Sequence, residues 1–196
     1  IAGYQFADAT YENGIRLGLV DYQTHGGNAG VSYQIADKSQ VSLMGIATLF
    51  RAPQVNLETK IFGGQASLNH EFSETFSVKL EAGPRFITNV QQSGPQSLSD
   101  HTLVWVANAT IRKQFERTSI TFDASRDINP SGFGLLIRTD RIGVTIAHQL
   151  TENLSASVTG QTFVASGVAT LGSGALFPQQ RYMSAQPKLT WKINDW

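Results

Sequence analysis

Phe76-Ser-Val-Lys-Leu-Glu-Ala-Gly-Pro-Arg-Phe86 decides the fold. Its even positions are Phe76, Val78, Leu80, Ala82, Pro84 and Phe86; its odd positions are Ser77, Lys79, Glu81, Gly83 and Arg85. A helix would scatter those charges around every side, whereas a strand sends alternate residues to opposite faces. One face is made for an apolar surrounding and the other for water. A slip of one residue would exchange the two, so the register is strongly fixed.

The same division recurs along the chain. Leu103, Trp105, Ala107, Ala109 and Ile111 alternate with Thr102, Asn108, Thr110 and Arg112. Leu154, Ala156 and Val158 alternate with Ser155, Ser157, Thr159 and Gln161, and Met183, Ala185, Pro187, Leu189, Trp191 and Ile193 with Ser184, Gln186, Lys188, Thr190 and Lys192. Between these runs a phrase repeats five times: a polar residue, a large apolar one, then a tight polar turn. Its members are Gln34-Ile35, Glu71-Phe72, Gln114-Phe115, Gln149-Leu150 and Lys192-Ile193. Successive members lie about 35 to 43 residues apart, room for two strands and one longer connection. The chain therefore reads as hairpins with short turns at one end and longer loops at the other, the asymmetry of an outer-membrane barrel.

The spacing predicts ten strands near 13–23, 27–36, 39–50, 59–72, 75–90, 101–115, 118–127, 133–149, 153–165 and 181–194, with longer loops near 51–58, 91–100 and 166–180. The expected fold is all-β: an antiparallel up-and-down transmembrane β-barrel of about ten strands, or a ten-strand part of a larger barrel. Residues 1–196 form a single outer-membrane barrel domain in this reading. Aromatics gather in two bands, Tyr33, Phe72, Phe76, Phe115 and Trp191 by the short turns and Phe50, Phe62, Phe86, Phe133, Phe163 and Tyr182 toward the loops, as interfacial girdles would. Two stretches fit less well. Met44, Ile46 and Phe50 fall on the polar parity, and 133–139 is apolar on both faces, which calls either for an internal plug or a partner there or for a different register. Pro84 and Pro187 each remove a ladder hydrogen bond.

Composition agrees. The 196 residues carry 15 basic and 15 acidic side chains, so no charge excess points to nucleic acid. No apolar run is long enough for a membrane helix, but a barrel escapes that test because only alternate residues face lipid. Cysteine is absent, which excludes disulfides, thiolate metal sites and covalent haem attachment. No cofactor or metal is expected. The first residues carry no signal-peptide pattern, which fits a processed export product or a segment of a longer chain.

Ser125-Arg-Asp-Ile-Asn-Pro-Ser-Gly-Phe-Gly134, then Arg138-Thr-Asp-Arg-Ile142, then His148-Gln-Leu-Thr-Glu-Asn-Leu154 resembles the β-barrel porins of Gram-negative bacteria, some of which are encoded beside exosortase and exopolysaccharide systems. The specific match covers about thirty residues, while the hairpin pattern covers the whole chain. The resemblance implies an outer-membrane barrel and carries over no catalytic residue.

The residues expected to line the lumen are Arg16, Glu71, Lys79, Glu81, Arg85, Arg112, Asp123, Arg141, Lys188 and Lys192; both signs occur, so no strong ion preference follows. Leu80, Leu103, Trp105, Ala107, Val158 and Leu189 are expected to face lipid. Asp100-His101, with His25, Asp21 and Asp127 near other loops, invites comparison with hydrolases that work at a barrel rim, but no convergent nucleophile accompanies the pair. His70 and His148 share the lipid-side parity, where interfacial placement outweighs metal binding.

The expected function is a porin-like passive conduit in the bacterial outer membrane, for small hydrophilic solutes or as export partner of a polysaccharide system. Its partners are the bilayer, and partner subunits or an internal plug. The alternatives are a closed structural barrel that anchors or sheathes a partner protein, and a rim hydrolase. Trp196 breaks the odd lipid-facing parity and follows the turn dipeptide Asn194-Asp195, so it is expected to open a further strand of a longer barrel.

Overall fold

A computed structural model describes residues 1–93, 96–133, 135–168 and 178–193. They form ten strands: β1 (Ala2–Ala9), β2 (Tyr22–Ala36), β3 (Ser39–Ala52), β4 (Leu57–Ser73), β5 (Phe76–Ser93), β6 (Gln96–Gln114), β7 (Thr118–Pro130), β8 (Leu136–Gln149), β9 (Leu154–Gly167) and β10 (Gln180–Trp191). All lie in one antiparallel sheet in chain order. The architecture is all-β and up-and-down, as the repeating turn phrase requires. Among the described residues β1 and β10 do not pair, so the sheet presents two free edges.

Register carries the two faces across the sheet, with shifts at the turn-side irregularities Gln34/Ala36 and Glu71/Ser73. Leu43, Ala66, Ala82, Ala107 and Arg126 belong to the same side because each pairs with residues of its parity on the next strand. On the apolar side of β5 the large residues run from Phe76 to Phe86. Ten steps at about 3.4 Å, tilted by about 40°, give a band near the ~25 Å hydrocarbon belt of an outer-membrane barrel.

The sheet is curled. Val20 N–H donates to the Gly132 carbonyl at 2.7 Å, linking the β1–β2 connection to the β7–β8 connection. In a flat sheet β2 and β7, five strands apart, would stand about 24 Å from one another. β7 also parts from β6: their pairing stops at Ala107–Arg126, although β5–β6 pairing runs on to Ser93–Gln96 and β7–β8 pairing to Pro130–Leu136. The freed end of β7–β8 turns in against the polar-parity side of β4–β6. There Leu136 joins Ile61, Ile87 and Val168 in a buried cluster, with Ile128 and Val104 packed on it. This accounts for Leu136 within the apolar stretch 133–139, which is buried inside the curl, while Phe133 stays 51% exposed.

Three sequence expectations need correction. The strand expected at 13–23 does not form: residues 13–21 connect β1 to β2, with Gly14–Leu17 in a 3-10 turn between Asn13 at φ +58° and Gly18 at φ +71°. The first strand is instead Ala2–Ala9. The stretch 91–100 is strand wherever described, because the ladder continues through its polar residues. The connection expected at 51–58 shrinks to 53–56, and most of that expected at 166–180 falls on 169–177, outside the described residues. Trp196 lies outside them as well.

At the middle of β4–β5, Gly63-Gly64 faces Pro84-Arg85 and Gly83. Pro84 has no N–H, and the Arg85 guanidinium takes over: Nη1 donates to the Gly64 carbonyl at 2.9 Å and to the Pro84 carbonyl at 3.1 Å. The strands approach so closely that a Cβ on Gly83 would run into the Gly64 carbonyl and lie 2.8 Å from the Gln65 Cα. Gly83→Ala should therefore cost about 1–3 kcal/mol, an overpacking effect against backbone. Gly45→Ala, whose new methyl would sit 3.7 Å from the Ala29 carbonyl, should be tolerated. Thermal unfolding followed on gels in detergent compares the two, and equal midpoints would refute the close approach.

Candidate functional site: the polar face of the sheet

The polar side has three zones, set by what the curl brings over it. At the loop end it is packed. Phe50 is 1% exposed and lies 5.3 Å from the Tyr22 ring, and Thr59 donates to the Asn89 side-chain oxygen at 2.7 Å in a buried pair. Phe50 thus leaves the girdle in which the sequence placed it, because its parity turns it inward under the cap. That cap is the β1–β2 connection. Asp21 fixes its two ends: one carboxylate oxygen accepts Tyr11 N–H at 2.9 Å, the other the Gln54 amide at 2.7 Å. Gly132 fits so tightly against it that a Cβ there would stand 2.6 Å from the Tyr11 hydroxyl and 3.1 Å from Leu19 Cδ2.

Toward the turns the polar side is open and charged. Lys79 pairs with Glu81 at 2.8 Å, Gln65 donates to Glu81 at 3.1 Å, and Arg85 donates through Nη2 to Gln65 Oε1 at 2.6 Å. Thr110 donates to Asp123 at 3.0 Å. These bonds run along one strand or to its neighbour and do not bridge a bore. The Lys79 side chain is 58% exposed, so the pair contributes less than about 1 kcal/mol and serves to place charge. Glu71, Arg112, Arg141 and Lys188 share this face by register. Arg16 does not: it sits in the 3-10 turn, off every strand. Lys192 follows the end of β10, where its N–H donates to the Asn153 carbonyl at 2.8 Å.

Across β8–β10 the polar side is almost free of charge. Phe163 and Tyr182 are register partners here, ring centroids 4.8 Å apart and planes 22° apart. Both were expected in the loop-side girdle; parity puts them on the polar face instead. Phe62 and Phe86 do lie exposed on the apolar side.

Leu80, Leu103, Trp105, Ala107, Val158 and Leu189 share the apolar side by register. Charges mark its loop-side margin, where Arg51 and Lys60 hold Glu58 and Arg126 and Arg138 hold Asp140. Charges at i and i+2 on the apolar parity, Glu58 with Lys60 and Arg138 with Asp140, are the signal in the sequence that an apolar stripe has ended. All four histidines take the same side, and each Nδ1 meets a hydroxyl of the neighbouring strand: His25 with Tyr4, His70 with Ser39, His101 with Thr88 and His148 with Thr118. Asp100 and His101 point to opposite faces, since they are consecutive in β6, and Asp100 accepts instead from Thr102 at 3.3 Å. Asp21 and Asp127 do not meet His101. Among the described residues no group of three potential metal ligands converges.

No family model and no curated protein matches the chain. Among solved structures it is similar to one described as the CymD monoaromatic hydrocarbon channel, at 10% identity and a TM-score of 0.41, with 89% of this chain aligned to 53% of that one. The chain thus spans about half the length of that protein.

Proposed function

We propose that these strands are an arc of a bacterial outer-membrane β-barrel that acts as a porin-like passive conduit for small hydrophilic solutes. One observation carries the reading: 30 large hydrophobic side chains are exposed among the described residues against seven buried hydrophobic ones, most of the 30 on one continuous side. A soluble protein rarely exposes an apolar patch beyond about 300–600 Å². Hydrocarbon is the surrounding such a side requires, which leaves the polar side to water. Lipid tolerates no open strand edge, so further strands must cover β1 and β10 and widen the barrel beyond ten. Ion pairs that hug the wall favour a conduit over the closed structural barrel, whose bore paired side chains would fill. The placement of Asp100 and His101 on opposite faces disfavours the rim hydrolase. A role beside a polysaccharide export system has the sequence resemblance as its support.

The test is to reconstitute the full-length protein into planar bilayers and record current in potassium chloride. Discrete conductance steps are expected, along with β-rich circular dichroism that persists in micelles. Monodisperse behaviour without detergent would overturn the membrane reading, and a silent but inserted protein would overturn the conduit.

A further inference from the structure

We infer that the polar face of β8–β10 is a binding track for a neutral saccharide chain, with the stacked Phe163 and Tyr182 rings as its platform. The inference rests on the conduit reading, which makes this face the lumen wall. Tyr182 is 48% exposed on a face otherwise built mainly of hydroxyl and amide side chains with Arg141 and Lys188 among them, and its hydroxyl donates to Gln180 Oε1 at 2.7 Å, which fixes the ring. A half-exposed, immobilised aromatic pair on a wet wall has a free ring face to offer. The apolar C–H face of a sugar ring is the complement of that surface.

The register continues the track. Next to the Phe163–Tyr182 row comes Gly143–Gln161–Ser184, then Thr145–Thr159–Gln186. Same-face rows are about 7 Å apart along a strand. Each row holds an amide beside a hydroxyl or two, groups that both donate and accept, as sugar hydroxyls do. Arg141 stands in the aromatic row itself as the register partner of Phe163, Lys188 lies one row past Gln186, and β8–β10 bring no carboxylate to this face among the described residues. The wall formed by β4–β7 carries Lys79, Glu81, Arg112 and Asp123 instead. A simple ion would find its partners there. An aromatic hydrocarbon on the β8–β10 face would strip water from the amides and hydroxyls and return no hydrogen bond.

The experiment is saturation-transfer NMR with maltohexaose and the full-length protein in micelles, followed by potassium chloride conductance on the same preparation. Transfer to the sugar ring protons is expected, and roughly tenfold weaker binding in Phe163→Ala/Tyr182→Ala, on the scale of two lost aromatic contacts. The apolar-face variant Trp191→Ala should bind as wild type. Gln186→Leu leaves the stack intact and should also weaken binding, which keeps the test decisive if the double variant fails to fold. No transfer in wild type, undiminished binding in both the double variant and Gln186→Leu, or displacement of the sugar by toluene would each overturn the track. Sugar binding without conductance would overturn the conduit alone, and conductance without sugar binding the track alone.

Discussion

Leu80→Arg should destabilise the inserted protein by about 2–4 kcal/mol, while Glu81→Arg, one residue on, should cost far less. Leu80 is 43% exposed on the apolar side of β5, paired with Leu68 on β4 and Ala109 on β6. Those partners place it near the middle of the stripe from Phe76 to Phe86. A guanidinium there has no water and no carboxylate within reach, and the nearest charges on that side stand at the margins. Glu81 faces the other way, beside Lys79 and Gln65. Its replacement exchanges an attraction for a like-charge contact in wet surroundings, a loss of the order of 1 kcal/mol. Reversible unfolding from lipid vesicles by guanidinium measures both. A penalty at 81 equal to that at 80 would mean that the two faces have been exchanged.

The contrast between neighbours depends on a period of two, and this is also why most of the fold was legible. Wherever alternation is backed by charge on one parity, as in Phe76–Phe86 or 102–112, the strand stands as read. Where alternation stands alone it misleads. Ile15-Arg16-Leu17-Gly18-Leu19 alternates well enough to pass for a strand, yet the Asn13-Gly14 dipeptide before it is a turn signal, and Asn13 does adopt positive φ. Ala2–Ala9 has only Tyr4 and Phe6 as large apolar residues, too few for a pattern, and is a strand because β2 supplies its ladder. Gln91 to Asp100 has the composition of a loop, but backbone pairing needs no apolar side chain to continue.

Parity likewise sorts the candidate site. It assigns Lys79, Glu81, Arg85, Arg112 and Asp123 to one face from sequence alone. The same rule, applied to Phe50, Phe163 and Tyr182, would have put them on the polar side; grouping aromatics by height along the strand, without regard to parity, hid this. The cap was not legible at all. It depends on the curl of the sheet, which brings segments more than a hundred residues apart together, and no local pattern encodes that meeting.

The cap yields the other large effect. Gly132→Leu should raise single-channel conductance several-fold and leave the strands as stable as before, because it expels the β1–β2 connection from its seat on the β7–β8 end. The atoms that a side chain at 132 would meet first are the Tyr11 hydroxyl and Leu19 Cδ2, the tips of movable side chains. Alanine can be accommodated by a small shift of Tyr11; leucine cannot, since its extra carbons need the volume that the Tyr11 ring fills. Relief by displacement is open because, among the described residues, one backbone bond, Val20 N–H to the Gly132 carbonyl, joins the two segments. That bond is worth about 1 kcal/mol, less than the overpacking it would have to oppose. Val20→Pro removes the same donor without adding bulk at 132, and should increase conductance in the same direction. The buried cluster of Ile61, Ile87, Leu136 and Val168 is untouched by either change, so the tucked end of β7–β8 should stay in place and the gain should stop short of a fully open bore. Unaltered conductance in both variants would mean that the β1–β2 connection does not obstruct the path.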